Sequence, residues 1–436
     1  LTWRDQTFTY GELAKRWTTW RSKVSDLGIE AGSVVAVQGD FTPSTVTLLL
    51  ALIEADALVV PVTPTLPRRR DELLALAEVE WSLSIDGEDQ LSVKGLQVRA
   101  THPHYRELRR RGHPGLVLFS SGSSGKVKAA VHDFEPLLDK FMEPGKTLRT
   151  MSFLLYDHIG GMNTLLYTLT HGGCLVTTTS RDPDRVLGAI ARHRVELLPT
   201  TPTFLNLALV SGACERYELS CLQTVTYGTE PMPELTLKRL AEALPHVELR
   251  QTYGLSEVGI LPSRSEHSTS LLVKLGGSGF SVRIKNGILQ IKAKSAMLGY
   301  LNAPSPWTED GWLDTGDAVE QHGDYLRILG RRSELINVGG EKVYPSEVEG
   351  AIQSMPEVAD AVVVGKPNPL TGMMICATVR LVEGASAEGF SRRLKEHLST
   401  RLERFKIPVK IDVGVAELHG DRFKKMRSDA PLQEEV

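Results

Sequence analysis

The chain has 436 residues, 41% of them apolar and 24% charged, with a formal net charge of -3. That length exceeds one ordinary hydrophobic core and predicts at least two domains of a soluble globular protein. The near-neutral charge gives no basis for nucleic-acid binding, and the basic runs Arg68-Arg69-Arg70 and Arg109-Arg110-Arg111 read as solvated faces.

Cys174, Cys214, Cys221 and Cys376 form no CxxC pair, which predicts free thiols in a reducing cytosol and argues against structural zinc. The most apolar run, 46–62, is broken by Glu54 and Asp56 and contains Pro61, so it is not read as a membrane span. No signal peptide is recognised, and a start at Leu1 rather than Met leads us to expect native residues ahead of it. In chain order, Thr9 three residues before Glu12 signals a capping box and a helix through Leu13 and Trp17. A buried strand is predicted over 34–37, a helix over 45–55 and a strand over 58–62. The alternation recurs with a strand at 174–178, a helix at 182–193, a strand at 195–198, a helix at 235–244 and a strand at 248–252. It predicts layered α/β architecture with largely parallel sheets. Beyond about residue 270, short strands at 282–284, 289–291 and 325–328 between Asn-Gly and Gly-Asp turns predict a β-rich subdomain. A helix at 345–353, strands at 361–365 and 374–381 and a helix near 390–402 then predict a compact α+β lid. The expected domains are 1–329 and a mobile lid over 330–436.

An apolar run at Leu116-Val117-Leu118 leads into Phe119-Ser120-Ser121-Gly122-Ser123-Ser124-Gly125-Lys126-Val127-Lys128. Glycines and serines there can turn backbone N–H groups and hydroxyls toward an anion, with lysine charge beside them. A flexible surface loop is the plainer reading of such a segment. A Walker A motif is excluded, because only Ser123 and Ser124 separate Gly122 from Gly125.

Five motifs in order make the chain resemble the adenylate-forming superfamily of acyl-CoA synthetases, peptide-synthetase adenylation domains and luciferases. They are the 119–128 loop; Tyr253-Gly254-Leu255-Ser256-Glu257; Gly311-Trp312-Leu313-Asp314-Thr315-Gly316-Asp317; Gly330-Arg331 through Gly339-Gly340 to Glu349; and Phe423-Lys424-Lys425-Met426-Arg427. The resemblance implies activation of a small-molecule carboxylic acid by ATP and Mg2+ to acyl-AMP. Two anions must meet at the α-phosphorus, so their charge has to be neutralised first. By the resemblance, Ser120, Ser121, Gly122, Ser123, Ser124, Gly125 and Lys128 cradle the β- and γ-phosphates. Gly228, Thr229, Glu230, Tyr253, Gly254 and Ser256 border the nucleotide, and Asp317 and Arg331 reach the ribose. Glu257 is the implied Mg2+ ligand, in keeping with the carboxylate-plus-phosphate sites that this ion takes. Lys424 is the implied catalytic lysine and Lys425 the runner-up. Phe423 stands where the superfamily usually has glycine. Lys424 lies far along the chain from the glycine loop, so the lid must close to deliver it, with Ser333 as the implied pivot.

The stretch Leu155-Tyr156-Asp157-His158-Ile159-Gly160-Gly161 matches the segment bordering the acyl pocket in that superfamily. His158, where amino-acid-activating members carry Asp, implies an acid without an α-amino group. Gly161, Thr203, Phe204 and Gly254 are the expected acyl-pocket residues, small enough for a bulky aryl acid. Asp157 is unusual: it is read either as a base for an incoming amine, as in a stand-alone amide bond synthetase, or as a cap of the following helix. The expected activity is amide formation, with CoA as the alternative acceptor, for which Gly339-Gly340 leaves room. A catalytically silent nucleotide-binding homologue is the competing class.

Overall fold

The computed structural model describes residues 1–64, 69–121, 126–414, 417–420 and 423–427. Strand Val34–Gln38 is apolar at four successive positions because both of its faces are covered. Val35 and Val37 join one cluster with Leu48, Leu52 and Leu165; Val34 and Ala36 join another with Tyr105 and Leu108. Opposite pointing of neighbouring side chains in a strand produces this division. Leu58–Val62, Trp81–Ile85 and Gly115–Ser121 run parallel to it in a seven-stranded sheet.

A second seven-stranded sheet carries the parallel strands Arg149–Met151, Cys174–Val176, Leu197–Thr200, Thr224–Tyr227 and Glu248–Gln251. Here Leu175 enters the cluster of Leu48 and Leu165, whereas Val176 enters a separate one with Ile190, Leu198 and Phe204. The Leu48–Leu165 cluster is therefore shared between the two sheets and ties them together. Several helices begin the same way. Thr42, Asp182 and Thr201 cap helices that open on Pro43, Pro183 and Pro202. Proline pre-sets φ there and removes a donor that would lack a partner. The capping box at Thr9 and Glu12 is also present.

Six strands from Ser263–Ser265 to Tyr325–Arg331 form an antiparallel sheet. The 3-10 turn Arg332–Glu334 follows, and a last sheet begins at Ile336–Val338. Its long hairpin, Val358–Asn368 with Gly372–Leu381, packs against helices Pro345–Gln353 and Phe390–Ser399 around Val348, Ile352, Phe390 and Leu394. This is the small C-terminal α+β domain. It touches the large domain where Asn206 Nδ2 donates to Ala359 O (2.9 Å) and Ser346 Oγ donates to Leu329 O (2.9 Å).

The predicted elements are present with shifted ends. The strand expected at 195–198 is Leu197–Thr200, because Val195 N still donates to Ile190 O (3.0 Å) in the closure of the preceding helix. The last helix stops at Ser399 rather than 402. Among the described residues no helix is long and apolar enough to cross a membrane.

Candidate active site

The glycine-rich segment connects two antiparallel strands, Gly115–Ser121 and Val127–Asp133, in a register that pairs Ser120 with Lys128. Gly122, Ser123, Ser124 and Gly125 lie outside the described residues. Lys128 Nζ sits 5.1 Å from the Tyr300 ring centroid, a cation–π distance, and the Tyr300 hydroxyl donates to Glu257 Oε1. A cation, a phenol and a carboxylate thus stand together beside the loop. Behind them His132 is fully buried, its Nε2–H bonded to Ser256 O, and burial holds its pKa below the ordinary value. A neutral imidazole in that tautomer fixes the backbone that carries Ser256 and Glu257.

The second group joins Tyr253, Asp317 and Arg331. The Tyr253 hydroxyl and Arg331 Nε (2.8 Å) both bond the Asp317 carboxylate, and Arg331 Nη1 also donates to Thr315 O (3.1 Å). Burial raises the Asp317 pKa, with Arg331 acting against it. Register brings Asp317 opposite Arg331 on the two strands of one hairpin, so two separate motifs form one group. A carboxylate already oriented by two donors is suited to accept hydrogen bonds from sugar hydroxyls.

The third group surrounds a narrow cleft open to solvent and lined, among the described residues, by Phe153, Leu154, Leu155, His158, Arg181, Thr229, Phe423 and Lys424. His158 is the N-cap of helix Ile159–Thr170; its Nδ1 accepts from Gly160 N (3.1 Å), which holds the ring at the cleft wall. Thr229 adopts φ 74°, a conformation strained for a β-branched residue. Strain of this kind gathers at binding loops. Lys424 reaches the cleft from the C-terminal domain.

Several sequence-based expectations need correction. Gly161, Gly228 and Gly254 do not open a pocket: a Cβ at Gly161 would fall 1.9 Å from Leu155 O, one at Gly228 2.7 Å from Thr252 O, and one at Gly254 2.9 Å from Gly259 O. Their smallness serves close backbone packing. Phe204 is core, its ring tilted against that of Phe153. Thr203 and Glu230 face a different cleft, between the domains, with Glu349, Lys425 and Arg427; Glu230 Oε1 accepts from Thr203 N (2.8 Å). Asp157 is 4% exposed and accepts from Thr63 Oγ1 (2.9 Å), while the helix cap falls to His158 instead. Lys425 turns away from the cleft of Lys424. Its side chain is 6% exposed, donates to Ala361 O (2.7 Å) and pairs with Glu349 (3.4 Å) and Asp360 (3.5 Å). Burial pulls its pKa down, but the surrounding carboxylates outweigh that and keep it above the ordinary lysine value. Ser333 lies in the turn Arg332–Glu334 between the last two sheets.

Sequence reasoning missed Tyr300, His132, Arg181 and Phe153. Phe153 adjoins the recognised 155–161 stretch, but Tyr300, His132 and Arg181 carry no motif of their own.

A magnesium ion fits the residues present. Glu257 offers hard carboxylate oxygen, and among the described residues no group of three or more metal-ligating side chains occurs, so substrate oxygens would complete the shell.

Comparisons with known proteins give the family and the fold. The AMP-binding enzyme family matches residues 1–283, and the AMP-binding enzyme C-terminal domain matches residues 347–422. Indoleacetate–CoA ligase of Aromatoleum aromaticum is 27% identical over 347 residues, 72% of this chain and 66% of that protein. Feruloyl-CoA synthase of an Amycolatopsis species is 25% identical over 93% of this chain and 89% of that one. Among solved structures, the anthranilate CoA ligase AuaEII superposes with a TM-score of 0.81 at 19% identity, covering 97% of this chain and 91% of that one. The amide bond synthetase McbA from Marinactinospora thermotolerans gives 0.75 at 22% identity, covering 95% and 92%. The chain belongs to the AMP-binding enzyme family, within the superfamily of ATP-dependent adenylate-forming ligases.

Proposed function

We propose that the chain adenylates an aryl or heteroaryl carboxylic acid and passes the acyl group to the thiol of CoA. The observation that carries the adenylation is Lys424, brought from the C-terminal domain to the same cleft as His158 and Thr229. In that pose its ammonium bridges the acid carboxylate and the α-phosphate, following the charge that develops between them. Glu257 would hold Mg2+, which supplies neutralisation of the leaving pyrophosphate. Asp317, Arg331 and Tyr253 orient the ribose, and Ser120 and Lys128, paired at the ends of their strands, border the phosphates. The cleft walls Phe153, Leu154 and Leu155 are apolar and suit a planar ring.

Two considerations move the acceptor from an amine to CoA. The amine reading rested on Asp157 as a base, and that carboxylate is committed to Thr63. The hairpin turn at Gly339 and Gly340, with φ of 62° and 98° and open space at each Cβ, can pass close to a pantetheine arm once the C-terminal domain has turned about Ser333. The named CoA ligases among the relatives point the same way.

The test is AMP release from a panel of benzoic, cinnamic and indole acids, with ATP and Mg2+, in the presence of CoA, of free amines or of neither. Thioester in the CoA arm supports the proposal. Amide in the amine arm with no thioester overturns the acceptor, and no acid-dependent AMP in any arm overturns the adenylation.

A further inference from the structure

Phe423 is the residue immediately before Lys424, and its backbone is held at φ 49°, in the left-handed region that disfavours bulky side chains. Hydrogen bonds tie the described residues on either side of it. Phe423 N donates to Gly420 O (2.8 Å), Gly420 N to Lys424 O (3.1 Å) and Met426 N to Leu418 O (3.0 Å). Glycine would take this conformation without strain. A phenylalanine needs compensation, and the structure shows where it comes from. The Phe423 ring stacks on His419 (centroids 4.8 Å, 18°) within the C-terminal domain. It also meets two rings of the large domain, Phe153 (5.4 Å) and Phe204 (5.9 Å, 83°). Phe153 and Phe204 themselves meet at 4.4 Å with their rings tilted by 50°, inside the apolar cluster of the second sheet.

A side chain of the C-terminal domain is thus packed against the core of the other one. The next residue enters the cleft where the chemistry takes place, and Phe423 is itself part of that cleft's wall. We infer that Phe423 is a positioning residue: it clasps the C-terminal domain in the adenylating pose and aims Lys424, at the expense of the turned pose needed for acyl transfer. Turning the domain must withdraw the ring from Phe153 and Phe204, exposing apolar surface and leaving the strained backbone uncompensated. The clasp therefore favours the first half-reaction and slows entry into the second.

This inference rests on the two-step reading above, and the experiment separates the two. Hydroxylamine is small enough to capture acyl-AMP without rearrangement of the domain, so hydroxamate formation reports adenylation. Thioester formation from presynthesised acyl-AMP and CoA reports transfer. F423G, which relieves the backbone and deletes the ring, should lower the hydroxamate rate by about 10²-fold through loss of Lys424 alignment. Transfer from preformed acyl-AMP should fall far less than the hydroxamate rate, or rise. F423Y, which keeps the ring, should restore most of the hydroxamate rate that F423G loses. An unaltered hydroxamate rate in F423G overturns the clasp, as does an equal fall in both half-reactions. If wild-type protein makes no hydroxamate with any acid of the panel, the function reading fails. Amide exchange across 417–427 in F423G then decides the clasp: faster exchange with added ATP supports it, and unchanged exchange overturns it.

Discussion

Lys425→Met separates the two adjacent lysines by their surroundings. The Lys425 ammonium is buried against Glu349 (3% exposed side chain) and Asp360 (2%). Removing one partner of a buried ion pair costs about 3–5 kcal/mol, because the opposite charge is left in a medium that solvates it poorly. Here the loss is cushioned. Glu349 keeps Arg427 (2.9 Å) and Val363 N (3.0 Å), and Asp360 keeps Gln353 (3.0 Å) and Ala361 N (2.8 Å). Methionine also preserves the apolar stem. The expected cost is therefore the low end, about 3 kcal/mol, a drop of roughly 12 °C for a unit of the size of the C-terminal domain. Calorimetry reads the unfolding, and pyrophosphate exchange at low temperature reads adenylation. K425M should melt early while keeping most of its exchange activity at 15 °C. Unchanged melting with exchange lost would refute the reasoning and transfer the catalytic role to Lys425.

Lys424→Ala should do the reverse, with unfolding within a degree or two of wild type and adenylation down by about 10²–10³-fold, the usual consequence of deleting a charge-stabilising donor. Gly161→Ala places a methyl group against Leu155 O and should cost about 1–3 kcal/mol of stability, read by urea unfolding, with no change in preference between small and large acids. Asp157→Asn should lower stability by about 1 kcal/mol through its weaker bond with Thr63 and leave the ratio of transfer to adenylation as in wild type. Lys140 is pushed down to about 8 by burial. Its native form therefore releases a proton that the unfolded chain retains up to the ordinary lysine value. Stability should rise with pH through that window, and Lys140→Met should flatten the rise in urea titrations.

The architecture was legible because strands covered on both faces, such as Val34–Gln38, must be apolar at consecutive positions, and capped Pro-led helices announce themselves. The motifs read as nucleotide-facing stood out in sequence because phosphate, metal and sugar each demand particular donors at set backbone positions. The acid cleft did not. It draws on residues 153–158, 181, 229 and 423–424, and no local spacing joins segments so far apart. The glycines misled for a related reason: a missing side chain shows that something is close, not whether it is a ligand or, as at Gly161, a carbonyl. The choice between Lys424 and Lys425 depended on the turn from Leu418 to Met426. The bridge between His419 and Lys425 sends neighbouring side chains to opposite sides. One meets buried carboxylates and the other meets the cleft. Asp157 looked exceptional in sequence and proved to be a buried acceptor for Thr63, a partner 94 residues away.

The most direct measurement is a single turnover with ATP, Mg2+ and an aryl acid and with no acceptor present, the products read by mass spectrometry. Wild-type protein should accumulate acyl-AMP and pyrophosphate in a one-to-one ratio, and Lys424→Ala should form both about 10²–10³-fold more slowly. Release of ADP and phosphate, or acyl-AMP formed equally well by the alanine variant, would contradict the assignment of Lys424 as the cation that joins the two anions.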